Sequence, residues 1–299
     1  MQIDRLCKAI QNTQCPVCAG LDTEYGYLTP EYRSEAAEPT DSEKAQCVLK
    51  FNCDIIDAIA DIVPSVKVQI AYYEQYGAAG VQCFYDTMDY ASRKGLVVIA
   101  DAKRNDIGAT AESYAKAHLI NSPADFLTVN AYLGIDGVKP FLDACAATGK
   151  GIFVLVKTSN PSGGEFQDLD VGGKKLYEAV ADKVQSWGER LIGEYGYSSV
   201  GAVVGATYPA EALALRARVP SVFFLVPGYG AQGAGADDIA VNFDQNGLGA
   251  VVNASRGLLL AYKKEKYAGL SAAQAARAFS LDMKDDILAA LKRRGIEYV

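Results

Sequence analysis

A single histidine, His118, is all that this 299-residue chain contains, and that scarcity removes several chemistries at once. A Ser-His-Asp triad or a His-rich metal site needs histidines that are not there. His118 itself lies mid-helix in SYAKAHLI, where a surface or packing role is expected. An excess of positive charge is also missing: 29 Lys plus Arg stand against 36 Asp plus Glu, a formal net charge of −7, which argues against a nucleic-acid partner. No stretch approaches the ~18 uninterrupted apolar residues of a membrane span. Residues 1–11 carry Asp4, Arg5 and Lys8 where a signal peptide would have an apolar core. A soluble, cytoplasmic protein without a membrane partner is expected. The seven cysteines form an odd total in a long chain, so reduced thiols are the economical reading. Cys15 and Cys18 have the spacing of a redox or zinc pair, but they run into a strand and no second CxxC accompanies them, so buried thiols are expected there too. No GxxxxGK[ST] loop occurs, and neither a metal nor a nucleotide cofactor is indicated.

What is present is a regular alternation. Half of the residues are hydrophobic and 22% are charged, enough apolar surface for a large core. Short β-branched and apolar runs recur at Pro16–Leu21, Ser65–Ile70, Leu96–Ala100, Asp125–Asn130, Gly151–Lys157, Ser199–Gly205, Ser221–Pro227 and Leu248–Asn253, with the continuous apolar character of strands buried on both faces. Segments with apolar spacing near 3.6 lie between or after them: Ser42–Ile62, Tyr73–Lys94, Ala109–Ile120, Ile135–Thr148, Gly173–Glu194, Pro209–Arg218 and Leu270–Arg293. Strict β/α alternation over about eight units predicts a (β/α)₈ barrel, with extra helices at both termini. A doubly wound open sheet is the competing layout, which pattern alone leaves open. No linker-like tract interrupts the chain, so one catalytic domain over residues 1–299 is expected. Thr23–Thr40 and Asn160–Gly172 are long for simple connections.

In a barrel the residues that end each strand build the active site, and here those ends are charged. The first run ends at Asp22, the second carries Lys67, the third leads into Asp101-Ala-Lys103, the fourth ends at Asn130 and the fifth at Lys157-Thr-Ser159. Charges beside a parallel strand core are costly unless paired, so several at one end argue for a site. Asp101 and Lys103, two apart on extended backbone, face one side. An isolated pair could merely close the barrel rim, but Asp22, Lys67 and Asp106 nearby favour a functional cluster. The last two strands open into Pro227-Gly-Tyr-Gly-Ala-Gln-Gly233 and Asn253-Ala-Ser-Arg-Gly257. Such loops cradle phosphate through backbone N–H groups, with Arg256 supplying charge and Gln232 a neutral donor; tight βα turns are the plain alternative.

The run Asp101-Ala-Lys103-Arg-Asn-Asp106-Ile107-Gly-Ala-Thr110 resembles the Asp-x-Lys-x-x-Asp-Ile…Thr hallmark of the orotidine 5′-phosphate decarboxylases. Leu21-Asp22, KVQIAYYE at 67–74, KTSNPS at 157–162, PGYGAQG at 227–233 and NASRG at 253–257 are similar to the longer bacterial subclass of that family. The resemblance implies a barrel homodimer, no cofactor, and conversion of orotidine monophosphate to uridine monophosphate and CO₂ in pyrimidine biosynthesis. It further implies that Asp22 and Lys67 hold the ribose, that Asp101 lies beside the substrate carboxylate, and that Lys103 donates the proton. Asp106 and Thr110 would reach the neighbouring subunit's site, Ile107 would bind substrate, Ser159 would contact the pyrimidine, and Gln232 with Arg256 would hold the phosphate. Three rivals are distinguishable by experiment: a metal-dependent phosphosugar enzyme on the same barrel, a Schiff-base aldolase using Lys67 or Lys157, and a non-catalytic phosphate-binding barrel.

Overall fold

In a computed structural model that describes residues 1–230 and 233–296, eight parallel strands close into a barrel in sequence order. They are β1 Val17–Gly20, β2 Ser65–Gln69, β3 Val97–Arg104, β4 Phe126–Val129, β5 Gly151–Lys157, β6 Ser198–Val204, β7 Val222–Pro227 and β8 Ala250–Ala254. Closure is direct, with Val17 of β1 opposite Val252 of β8, and the open-sheet alternative is excluded.

The alternation of strand side chains produces two cores. Along β3, Val97 and Ile99 join Cys18, Phe126, Phe153, Phe223 and Val251 inside the barrel, whereas Val98 and Ala100 pack with the layer beneath the helices. Three phenylalanines fit the centre because the neighbouring strands are trimmed: a Cβ on Gly201 would lie 2.6 Å from the Phe153 ring and 2.6 Å from the Phe223 carbonyl.

The N-terminal end of the barrel is plugged. Helix Gln2–Thr13 buries Ile3, Leu6, Cys7 and Ile10 in the interior cluster. Arg5 Nη1 donates to both Asp125 carboxylate oxygens at 3.0 Å, and its Nη2 donates to the Gly95 and Leu96 carbonyls at 3.0 Å. The C-terminal end is thereby left as the mouth. The C-terminal helix Ala272–Arg293, N-capped by Ser271, lies against helix Asp41–Ile59.

Several boundaries differ from the sequence expectation. The helix expected over Tyr73–Lys94 is two helices, Ala71–Glu74 and Gly77–Arg93, because Gly77 takes the left-handed region at φ 60° and breaks the ladder. The segment Ala109–Ile120 is an α-helix at Gly108–Ala115 continued by a π-turn at Lys116–Ile120. The stretch Gly173–Glu194 is helical only over Leu176–Gly188, followed by a 3₁₀ turn. The connection 160–172 contains its own short helix, Gly164–Gln167. Most consequential, β3 runs on to Arg104, so Asp101 and Lys103 lie on the strand itself.

Candidate active site

Four charged side chains from the first three βα units form one alternating row across the mouth. Asp22, just past β1, accepts from Lys67 Nζ at 2.9 Å; Lys67 reaches Asp101 Oδ2 at 3.1 Å; and Asp101 Oδ1 accepts from Lys103 Nζ at 2.6 Å. The middle of the row is buried: the Lys67 and Asp101 side chains are 5% and 9% exposed, whereas Asp22 is 16% exposed and Lys103, which ends the row at the open cavity, is 45% exposed.

Asp101 is fixed by more than the row. Gln69 Nε2 donates to its Oδ2 at 3.1 Å and the Thr128 hydroxyl to its Oδ1 at 2.9 Å. With four donors on two oxygens, its lone pairs are occupied and the carboxylate cannot rotate. Burial pushes its pKa up, but Lys67 and Lys103 more than offset this and hold it at about 2. Burial likewise opposes the charge on Lys67, and Asp22 and Asp101 overcome it, holding the ammonium protonated. A Schiff base at Lys67 would need its neutral amine, which this pairing disfavours.

Lys103 occupies a strained backbone, with φ 47° in the left-handed region. The β3–β4 register shifts between Ala100 and Arg104, and the Lys103 amide donates to the Thr128 hydroxyl at 2.9 Å. The ammonium stays on the Asp101 side, where strand alternation from residue 101 to 103 places it, across this β3–β4 irregularity.

The row borders a cavity of about 580 Å³ whose far wall comes from the loop after β5, with Thr158, Ser159, Asn160 and Gln167, and from Leu225 and Pro227 of β7. A contiguous cavity of about 320 Å³ shares Asp22, Tyr72, Pro227 and Asn253 with it and ends at Gly228, Ser255 and Arg256. One end of the mouth is thus a fixed charge row and the other an arginine beside a glycine loop, a layout suited to an anionic, elongated ligand. Gln232 lies outside the described residues. The loop does have Gly228-x-Gly230-x-x-Gly233 spacing, but it precedes a five-residue helix, Ala236–Ala240, in a closed barrel rather than a dinucleotide-binding crossover.

The chain's own mouth does not gather every expected residue. Asp106 accepts from the Ile107 amide at 2.8 Å and lines neither cavity. Ile107 is 55% exposed, and Thr110 is exposed on the following helix. Lys157 also turns away: the β5–β6 register shifts between Leu155 and Lys157, and its ammonium lies over Tyr177 and Tyr208 and pairs with Asp168. Gln69 and Thr128, neutral residues within strands, and Gln167, on a short helix inside a long connection, carry no charge signal in the sequence. The remaining polar candidates are structural. Cys15 and Cys18 are buried free thiols, their pKa values pushed up to about 11 mainly by burial. His118 is buried and accepts from Arg104 Nε at 3.1 Å, so of the two roles expected for it, packing is the one it has. Among the described residues no group of three or more His, Cys, Asp or Glu is placed to hold a metal ion, and no helix is long and apolar enough to cross a membrane.

Residues 16–269 match the profile of the Orotidine 5′-phosphate decarboxylase / HUMPS family. The chain is 46% identical over 266 residues to an orotidine 5′-phosphate decarboxylase of Rhodopirellula baltica, covering 87% of this chain and 88% of that protein. It is 41% identical over 289 residues to the enzyme of the same name from Clostridium acetobutylicum, covering 96% and 99%. Among solved structures, a putative orotidine 5′-phosphate decarboxylase from Streptomyces avermitilis superposes with a TM-score of 0.78 at 31% identity, covering 97% of this chain and 95% of that one. The OMP decarboxylase of Leishmania donovani gives 0.76 at 27% identity, covering 97% and 98%.

Proposed function

The chain belongs to the orotidine 5′-phosphate decarboxylase family, and we propose that its charge row decarboxylates orotidine 5′-monophosphate to uridine 5′-monophosphate, with Lys103 as the proton donor. It is a carboxy-lyase of UMP biosynthesis. The observation that carries the assignment of roles is the row Asp22–Lys67–Asp101–Lys103, with its exposed end in a cavity contiguous with Arg256.

In the reaction the bond between the pyrimidine C6 and the carboxylate carbon breaks, CO₂ departs, and the electron pair remains on C6. No adjacent group delocalises that pair, so the site must stabilise charge on one carbon. The Lys103 ammonium does so through space and then transfers a proton to C6, regaining one from solvent. Asp101, ionised and immobile, holds Lys103 in place and bars the substrate carboxylate from a comfortable ground state, while the donors around it make the field preorganised. Asp22 and Lys67 address the ribose hydroxyls, Ser159 the base, and Arg256 with Gln232 the phosphate, whose binding energy is spent in organising the site.

Asp106, Ile107 and Thr110 are assigned to the neighbouring subunit's site in a cytoplasmic homodimer. Their position on the rim, outside their own cavity, supports that reading. The direct test is to add orotidine 5′-monophosphate to the purified protein in the presence of a chelator and follow pyrimidine absorbance. Turnover is expected. Absence of turnover that Mg²⁺ restores would favour a metal-dependent relative instead.

A further inference from the structure

Lys157 is a costly residue for its position. It ends β5, it is 1% exposed, and it lines neither cavity of the mouth. Burying an ammonium costs several kcal/mol unless it is well paired, and an apolar side chain of similar volume would close the barrel at least as well. The strand nonetheless bulges so that Leu155 and Lys157 face the consecutive residues Val203 and Val204. The bulge sends the ammonium outward between the Tyr177 and Tyr208 rings, 5.1 and 4.5 Å from their centroids, where Asp168 pairs with it.

Asp168 comes from the far end of the loop that begins at residue 158, so the pair closes a short ring of chain. Everything that loop presents to the cavity lies inside the ring: Thr158, Ser159, Asn160 and Gln167. The ring is also braced internally, since the Thr158 amide donates to Gln167 Oε1 at 3.0 Å and Gln167 Nε2 donates to the Thr158 hydroxyl at 2.7 Å. Its root is tied a second time by Lys175 Nζ on the Asp168 carbonyl at 2.9 Å. Helix Gly164–Gln167 leaves no slack there, because a Cβ on Gly164 would come 2.8 Å from Asp168 Oδ2.

We infer that Lys157 and Asp168 are positioning residues whose ion pair, held between Tyr177 and Tyr208, sets the loop wall that meets the pyrimidine. The inference rests on the functional reading above for the identity of the ligand. The pair touches no substrate; it acts through Ser159 and Gln167. Contacts to the base are present in substrate, transition state and product alike, so loosening the wall weakens binding with little change in the chemical step.

The test uses Asp168→Asn, which keeps shape and removes the charge, with Asp168→Glu as the conservative partner. Asp168→Asn should raise KM for orotidine 5′-monophosphate and Kd for uridine 5′-monophosphate by the same factor, about tenfold, with kcat within about twofold. Ribose 5-phosphate, which lacks the base, should bind as to wild type, and Asp168→Glu should recover most of the loss. A Lys157→Met/Asp168→Leu double variant, apolar throughout, should retain the fold and show the same base-specific weakening. The inference is overturned if Asp168→Asn lowers only thermal stability or active fraction while KM stays constant, or if ribose 5-phosphate is weakened as much as uridine 5′-monophosphate. Should the wild type fail to turn over orotidine 5′-monophosphate, the functional reading falls, while the comparison of the two binding constants still decides the role of the pair.

Discussion

The Thr128 hydroxyl of β4 joins two features of β3: it donates to Asp101 Oδ1 at 2.9 Å and accepts from the amide of Lys103 at 2.9 Å. One neutral side chain thus holds the carboxylate and steadies the strained backbone that aims the ammonium. Thr128→Val keeps volume and removes both bonds. At about 1–1.5 kcal/mol per bond, about 2–3 kcal/mol for both, kcat should fall roughly 30- to 150-fold with KM changed far less. Steady-state kinetics check this, and a variant with wild-type kcat would separate Thr128 from the catalytic geometry.

Arg256 stands at the end of the smaller cavity, which Asp22 also lines and Lys103 does not. The phosphate proposed as its partner is present before, during and after the reaction, so Arg256→Ala should act chiefly on binding. A lost charge-assisted contact of about 1.5–3 kcal/mol corresponds to roughly 10- to 100-fold in KM and in Kd for uridine 5′-monophosphate. Titration calorimetry showing unchanged product affinity would remove Arg256 from the phosphate site.

His118 gives a pH dependence of stability independent of catalysis. Burial, and secondarily the Arg104 guanidinium, lower its pKa from the usual 6.5 to about 4. The unfolded chain therefore takes up a proton between pH 6.5 and 4 that the folded protein refuses, and folding stability falls as pH drops through that window, by roughly 3 kcal/mol from this group. His118→Gln can keep an acceptor for Arg104 and removes the titration. Denaturant melts of both proteins at pH 7 and pH 4.5 should show a smaller loss in the variant; equal losses would show that His118 does not titrate in this way.

The barrel was legible because each strand is a short apolar run and each helix a 3.6-period segment, signals that survive small errors of boundary. Asp22, Lys67, Asp101, Lys103 and Arg256 were legible because charge at a strand end is costly without a purpose. What escaped was set by backbone irregularity. The β5–β6 bulge decides that Lys157 turns away from the mouth, and Lys103 takes a left-handed backbone inside a strand; neither has a residue signature. Gly77, which splits a continuous amphipathic pattern into two helices, gave only a weak signal of its own. Gln69 and Thr128 escaped for a different reason: their importance comes from what they touch.

Sharing of sites between subunits has a quantitative test. If Lys103 acts in its own site and Asp106 in its partner's, mixing inactive Lys103→Ala with inactive Asp106→Ala gives hybrid dimers with one intact site each. After random exchange about a quarter of full activity should return. If exchange is demonstrated by mass and activity stays at zero, Asp106 works within its own subunit.

We propose the Lys103 ammonium as the group that stabilises and protonates the carbanion. The most direct measurement is single-turnover decarboxylation of orotidine 5′-monophosphate by Lys103→Ala beside wild type, with uridine 5′-monophosphate binding measured on the same samples. Wild type should turn over, and the variant should bind product yet show no detectable conversion, since among the described residues no other cation lies at the open end of the row. A well-folded Lys103→Ala protein retaining even a tenth of the wild-type rate would contradict the account.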